Sequence, residues 1–144
     1  MADFYPPEAV GVFDRAVATD RVNGALVYAK RRHIRANHTL AAQPAGSRLF
    51  VGRFPAGAVF DGVTKIASVS LGGATLAIGT TAVPAKYQDP AAFTAVDAPT
   101  ISGKAAAYAA DPLIAFEDVW ATVAGGALPA AGTLVIKLHF TVTR

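Results

Sequence analysis

The stretch that decides the fold runs from Ser47 to Thr80 and reads SRLFVGRFPAGAVFDGVTKIASVSLGGATLAIGT. Its apolar residues fall into three short runs. Residues 55–57 separate the first run from the second, and residues 72–73 separate the second from the third. The runs favour β-branched and aromatic residues, and Gly or Pro ends them, as is typical of β-strands. Their members are Leu49, Val51 and Phe54; then Val59, Val63, Ile66, Val69 and Leu71; then Leu76 and Ile78. We predict three strands here, and no cluster of acids, bases or nucleophiles interrupts them.

The C-terminal stretch from Thr133 to Thr143 alternates with a period of two residues. One face is apolar, and the other carries mostly polar groups, which predicts a strand with one buried side. The apolar face consists of Leu134, Ile136, Leu138, Phe140 and Val142. A second apolar stretch, Leu113 to Val123, precedes it across the loop 124–132. We predict that these two strands form a hairpin.

Between these blocks the sequence predicts a loop at 81–92, a short strand at 93–96, a turn at 98–103 and either a helix or a strand at 104–110. Seven or eight short strands with turn signals about every ten residues favour an all-β fold. We predict an antiparallel β-sandwich, jelly-roll-like, spanning residues 25–144. An extended N-terminal arm, residues 1–24, precedes this domain.

The predicted arm has aromatic residues but no steady period. Phe4, Tyr5 and Phe13 stand among breaks, and Pro6 and Pro7 favour an extended chain over a helix. Such a segment is either a frayed terminus or is ordered by docking on another subunit.

Basic residues are concentrated in the N-terminal third of the chain. Between residues 15 and 53 there is one acid, Asp20, against eight basic residues: Arg15, Arg21, Lys30, Arg31, Arg32, Arg35, Arg48 and Arg53. Residues 25–40 are predicted as a strand or strand pair whose second half is basic on both faces, which favours an edge strand or a strand that overhangs the sheet. The basic run at residues 30–35, KRRHIR, has three interpretations: it binds an acidic protein surface, it binds phosphates, or it is a solvated edge. Aromatic residues are not interleaved with it, so nucleic acid is the weaker partner class.

The composition indicates either a core that is large for the length or apolar surface that a partner covers, and it favours the second, an oligomer or an assembly subunit. The 144 residues suit one domain; 53% are hydrophobic and 16% are charged, against about a quarter charged in ordinary domains. A chain of this length leaves much apolar surface uncovered, so we expect a homo-oligomer. Residues 66–85 and 119–136 are uncharged, but their Gly pairs and prolines favour sheet over membrane spans. No secretory signal is predicted.

The sequence contains no constellation that predicts catalysis or metal binding. The chain has no cysteine, which excludes thiolate chemistry and cysteine-bound zinc. His33 and His38 are five residues apart, so on one strand they face opposite ways. Glu117 and Asp118 are adjacent and also diverge on a strand. We therefore predict no cofactor, no metal and no enzymatic activity.

Four stretches resemble the small decoration proteins, also called cement proteins, of tailed-phage capsids. They are SRLFVGRFPAGAVFDGVT (47–64), ASVSLGGATLAIGT (67–80), KYQDPAAF (86–93) and DVWATVAGGALPAAGTLVIKLHFTV (118–142). The resemblance lies in turn chemistry and strand pattern, and it covers residues 47–143.

This resemblance implies a non-enzymatic virion protein, made in the host cytoplasm, that sits on the outer capsid surface. It would bind the major capsid protein as a dimer or trimer and stabilise contacts between capsid subunits. We expect the contact residues to be Phe4, Tyr5, Phe13, Arg15, Arg21, Lys30, Arg31, Arg32 and Arg35. The alternative is a receptor- or carbohydrate-binding sandwich of a head fibre or tail. Trp120, Tyr87 and Tyr108 are its candidate stacking residues, although the apolar strand around Trp120 favours a place in the core.

Overall fold

The computed structural model describes residues 31–142, which form eight strands and one short helix. The predicted arm, the boundary after residue 24 and the first part of the predicted strand at 25–40 lie outside these residues. The strands are β1 (Arg32–Thr39), β2 (Arg48–Phe54), β3 (Ala58–Ala67), β4 (Thr75–Gly79), β5 (Gln88–Ala92), β6 (Thr100–Ser102), β7 (Glu117–Ala124) and β8 (Thr133–Val142). The helix α1 spans Ala105–Tyr108. No helix in this part of the chain is long and apolar enough to cross a membrane.

The strands form two four-stranded antiparallel sheets. The first sheet has the order β1-β8-β3-β6, and the second has the order β2-β7-β4-β5. Strand β1 pairs with β8, β2 with β7, β3 with β6, and β4 with β5. The chain is therefore paired like one long hairpin whose two halves wrap around each other. That nesting is the jelly-roll arrangement, so the predicted fold class is confirmed.

The core lies between the two sheets and follows the alternation that the sequence shows. In β8 every second side chain is buried: Leu134, Ile136, Leu138 and Phe140. The second sheet contributes the inward residues of β2, β4 and β7, of which Leu76, Val119 and Val123 are fully buried. Burying a side chain of this size stabilises a domain by about 1.5–3 kcal/mol.

The predicted hairpin of the last two strands is wrong. Strand β7 lies in the second sheet and β8 in the first, so residues 125–132 cross from one sheet to the other. The strand also begins at Glu117, four residues later than the apolar pattern predicts. Both strands pair with partners that are distant in sequence, which a local pattern does not reveal.

Two further elements differ from the sequence prediction. The predicted loop at 81–92 contains β5, and residues 93–96 form no strand. Pro90 lies within β5, which is tolerated because β5 is the edge strand of its sheet. Residues 100–102, predicted as part of a turn, form β6 at the edge of the other sheet. The strand-or-helix alternative at 104–110 is resolved in favour of helix α1.

Strand β3 contains a bulge that changes which residues face the core. The pairing of β3 with β8 shifts between Phe60 and Val63, at Gly62, whose φ is +111°. Such a bulge adds one residue to a strand and reverses the alternation beyond it. Phe60 and Val63 therefore both face inward, and so does Lys65, two residues further on.

Candidate binding surfaces

The outer surface of the first sheet is positively charged. Along adjacent strands His33 lies opposite His139, and Arg35 lies opposite Lys137. We call these four residues, together with Arg31, the basic face. The face exists because β1 and β8 both place their odd-numbered residues outward.

One acid is associated with this face. The Arg31 Nε lies 2.7 Å from an Asp61 carboxylate oxygen, and Arg31 Nη2 donates to the Asp61 backbone carbonyl. Thr64 Oγ1 lies 2.8 Å from His139 Nε2. Burial lowers the pKa of His139, and the neighbouring charges of Arg31 and His33 lower it further. At neutral pH His139 is therefore held uncharged beside a cationic surface.

The predicted contact residues fall into three groups. Arg31 and Arg35 lie on the basic face. Arg32 lies opposite Phe140, on the inward side of β1, and is exposed at the start of the strand. The remaining predicted residues lie outside the described part of the chain: Phe4, Tyr5, Phe13, Arg15, Arg21 and Lys30. Strand β1 is an edge strand, as its basic pattern predicts.

A pocket of about 360 Å³ opens at one end of the sandwich, and we call it the end pocket. Its floor is aromatic: Phe54 and Phe60 each pack against Tyr87, with ring centroids 5.4 and 4.8 Å apart. Small residues form much of its wall: Ala58, Ala85, Ala106, Ala107 and Ala110. Lys86, Lys104 and Asp111 supply its charged lining.

Both lysines beside the end pocket are paired with carboxylates. The Tyr87 hydroxyl donates to one carboxylate oxygen of Glu117, and Lys86 Nζ lies 2.5 Å from the other. Burial, followed by the bond to Glu117, raises the pKa of Tyr87. Lys104 Nζ donates to Asp89 and to the Ala85 carbonyl. These contacts leave the floor apolar, so the pocket suits an apolar or aromatic group.

A second aromatic surface lies on the outside of the second sheet. Phe50 is 45% exposed and packs edge-on against Trp120, with ring centroids 5.0 Å apart. The Arg48 guanidinium lies 5.2 Å from the centre of the Trp120 ring. The expectation that Trp120 belongs to the core is wrong, because its neighbours Val119 and Ala121 take the inward positions of β7.

The sequence analysis missed a buried lysine. Lys65 is 2% exposed, and its Nζ donates to Gln88 Oε1 across 3.0 Å. Ser102 donates to the same oxygen, and the Gln88 amide donates to the Leu76 carbonyl, so the network joins the two sheets. Burial lowers the pKa of Lys65 to about 8. The signal that could have located it is Gly62, since a glycine inside a strand often marks a bulge.

Within residues 31–142, no three His, Asp or Glu side chains are close enough to hold a metal ion. His33 and His38 face opposite sides of β1, as their spacing predicts, and His38 Nε2 lies 2.9 Å from the Phe50 carbonyl oxygen. Glu117 and Asp118 also diverge: Glu117 contacts Lys86, whereas Asp118 forms a two-point ion pair with Arg53.

Solved structures with the same fold come from phage capsids. A chain of the capsid asymmetric unit of cyanophage Pam1 superposes with a TM-score of 0.61 at 17% identity, over 79% of this chain and 86% of that one. A chain of the capsid of Ralstonia phage GP4 superposes with a TM-score of 0.63 at 19% identity, over 80% and 86%. In each superposition the aligned part covers a similar fraction of both chains, so this chain and the two capsid chains are similar in length. No family model matches this sequence, and no curated protein matches it significantly.

Proposed function

We propose that this chain is a non-enzymatic structural protein of a virion, a decoration protein on the outer face of a tailed-phage capsid. The observation that carries the proposal is the fold, which is shared over most of the chain with similarly short chains from two phage capsids. The sequence resemblance to decoration proteins supports the same assignment. Such a protein acts by binding across the seams between capsid subunits, so that assembled shell is favoured over free subunits by mass action.

The proposed partner is the major capsid protein, and the proposed contact is the N-terminal arm together with the basic end of β1. The basic face supports an acidic partner, because Arg35 and Lys137 lie opposite each other on adjacent strands and neither forms an ion pair with a described residue. Steering by such a face speeds association and weakens with salt. Localisation on the capsid surface follows from this contact.

A dimer or trimer is proposed because apolar side chains remain on the surface. Ile114 is 98% exposed and Phe116 is 71% exposed, next to the end pocket in the segment before β7. Contact between copies would remove them from water. Light scattering on the purified protein tests this, and a monomeric mass at micromolar concentration would contradict it.

The experiment that tests the function is co-sedimentation of the purified protein with shells assembled from the major capsid protein encoded with it. We expect saturable binding that weakens as salt increases. The double variant Arg32→Glu/Arg35→Glu should lose at least tenfold in affinity. Arg48→Glu is the matched control, because Arg48 lies on the outside of the other sheet and the charge change per site is the same. Absence of sedimentation, or equal loss with the control, would contradict the proposed contact.

The aromatic pair Phe50 and Trp120 favours a second candidate function, carbohydrate or receptor binding. Sugar rings stack on exposed aromatic faces, and the Arg48 guanidinium beside them offers hydrogen-bond donors. Of the other predicted stacking residues, Tyr87 is buried and Tyr108 is 41% exposed near the end pocket. A glycan array, followed by Trp120 fluorescence titration of each hit, tests this candidate. Hits that persist in Phe50→Ala would exclude the aromatic pair as the site.

A further inference from the structure

The end pocket is shaped for an aromatic or apolar side chain. Its floor rings Phe54, Phe60 and Tyr87 are all less than 7% exposed, so they are held rigidly by the core behind them. Aromatic pairs gain about 0.5–1.5 kcal/mol beyond the area that they bury when they meet edge-on or offset. A volume of about 360 Å³ lies in the range of sites that hold small ligands, roughly 300–1,000 Å³.

Apolar side chains continue this surface beyond the pocket. Val83, which lines the pocket, is 53% exposed, and Ile114 and Phe116 are exposed shortly after the lining residue Leu113. A patch of this kind, next to a formed apolar pocket, marks a binding surface. Its extent suits an extended peptide segment better than a single small molecule.

The chain itself contains a segment with matching chemistry. Residues 1–14 read MADFYPPEAVGVFD and carry three aromatic rings, two adjacent prolines and three acids, without a lysine or arginine. Pro-rich segments dock into aromatic-lined grooves because their extended form loses little entropy on binding.

This segment joins the domain at the same end as the pocket. Arg31, the first described residue, forms its ion pair with Asp61, which directly follows the floor residue Phe60. Seventeen residues separate Phe13 from Arg31 and can span up to about 60 Å, so the pocket is within reach. A tether of this kind raises the local concentration of the segment towards the millimolar range. That favours the chain's own segment over a second copy's in dilute solution.

We propose that in the free protein residues 4–13 dock into the end pocket of their own chain, with aromatic side chains of the segment against Phe54, Phe60 and Tyr87. The segment also covers the exposed Val83 at the pocket. This docking does not depend on capsid binding. It does imply that a shell that engages the segment must withdraw it from the pocket.

Disulfide trapping in the full-length protein tests the docking, and the absence of native cysteines makes the result simple to interpret. One variant pairs Ala9→Cys in the segment with Ala110→Cys at the pocket. The control pairs Ala9→Cys with Ala45→Cys, an equally exposed alanine in the β1–β2 loop at the opposite end of the sandwich. Both are oxidised at low micromolar concentration, and Trp120 fluorescence confirms that both remain folded.

We expect the Ala110 pair to form an intrachain disulfide at least tenfold faster than the Ala45 pair. Adding Phe4→Ala, Tyr5→Ala and Phe13→Ala should remove that advantage. Equal rates for the two pairs, or no cross-link at either position, would overturn the docking. A disulfide between two chains at the Ala110 position would overturn the assignment to the chain's own segment and identify a second copy's segment as the occupant.

Discussion

Replacing the buried lysine of β3 should stabilise the protein. The ammonium group of Lys65 lies inside the sandwich, where it contacts two neutral groups: the Gln88 carbonyl oxygen and the face of the Phe93 ring. Burial lowers its pKa from 10.5 to about 8. Since one pKa unit corresponds to about 1.4 kcal/mol, keeping this charge buried costs about 3 kcal/mol relative to water.

The variant Lys65→Met removes that cost and retains most of the side-chain volume. It also removes a hydrogen bond from a charged donor, worth about 1.5–3 kcal/mol, although Ser102 still donates to Gln88. The net expectation is an increase of up to about 1.5 kcal/mol in the free energy of unfolding at pH 7. Urea unfolding, followed by the fluorescence of the single tryptophan, measures it. Lys137→Met, on the outside of β8, is the matched control and should change stability by less than about 0.5 kcal/mol.

The pH dependence gives an independent check of the same reasoning. Between pH 8 and pH 10 the folded protein releases the Lys65 proton while the unfolded chain, with a pKa near 10.5, still holds it. Stability rises with pH wherever the unfolded state binds more protons, here by about 2 kcal/mol over that interval. We expect this increase in the wild type relative to Lys65→Met. A less stable Lys65→Met, with the same pH dependence as the wild type, would refute the account of the buried charge.

Three further changes test the packing and electrostatics of the sandwich. Gly52→Ala places a methyl group 2.5 Å from Ile34 Cγ2 and should lower the free energy of unfolding by about 1–3 kcal/mol. The control is Gly73→Ala, which has open space around it and should change the free energy of unfolding little. Thermal unfolding compares the two variants. Leu138→Ala removes a fully buried side chain of β8 and should cost about 2–5 kcal/mol in urea unfolding. His139 has a lowered pKa when folded, so as pH falls through about 6.5 the unfolded state takes up its proton first and stability declines. His139→Gln should lose less stability than the wild type between pH 7 and pH 5, and identical losses would contradict the assignment.

The strands themselves were largely predictable because their signal is local. The strict alternation from Leu134 to Phe140 requires a strand with one buried face, and the three apolar runs of residues 47–80 became β2, β3 and β4. The basic pattern of residues 32–39 placed β1 at an edge, because charges on both parities cannot be buried. These predictions depend on nothing beyond neighbouring residues.

The failures have a common physical cause, which is long-range pairing. The hairpin assigned to residues 113–143 failed because β7 and β8 find their partners in different sheets. The bulge at Gly62 shifted the alternation of β3, which turned Lys65 inward and left Ile66 half-buried. Strand β5 was predicted as a loop because it contains Pro90. A proline argues against a central strand but is tolerated in an edge strand. Trp120 faces outward because Val119 and Ala121 already fill the inward positions.

For the candidate surfaces, too, the residue types were predictable from the sequence, whereas their arrangement depends on long-range pairing. The basic residues were visible in the sequence, but their alignment with Lys137 and His139 depends on the pairing of β1 with β8. The end pocket combines Phe54, Tyr87 and Ala107, which three separate segments contribute. No periodicity in the sequence brings those segments together.

The most direct test of the decoration role is the thermal stability of shells with and without the protein, measured by calorimetry at constant shell concentration. A ligand that binds the assembled shell and not its free subunits stabilises it by about 2.7 kcal/mol per site at a hundredfold excess over Kd. The proposal therefore predicts that the dissociation temperature of the shell rises with added protein and reaches a plateau when the sites are filled. An unchanged dissociation temperature at saturating protein would contradict it.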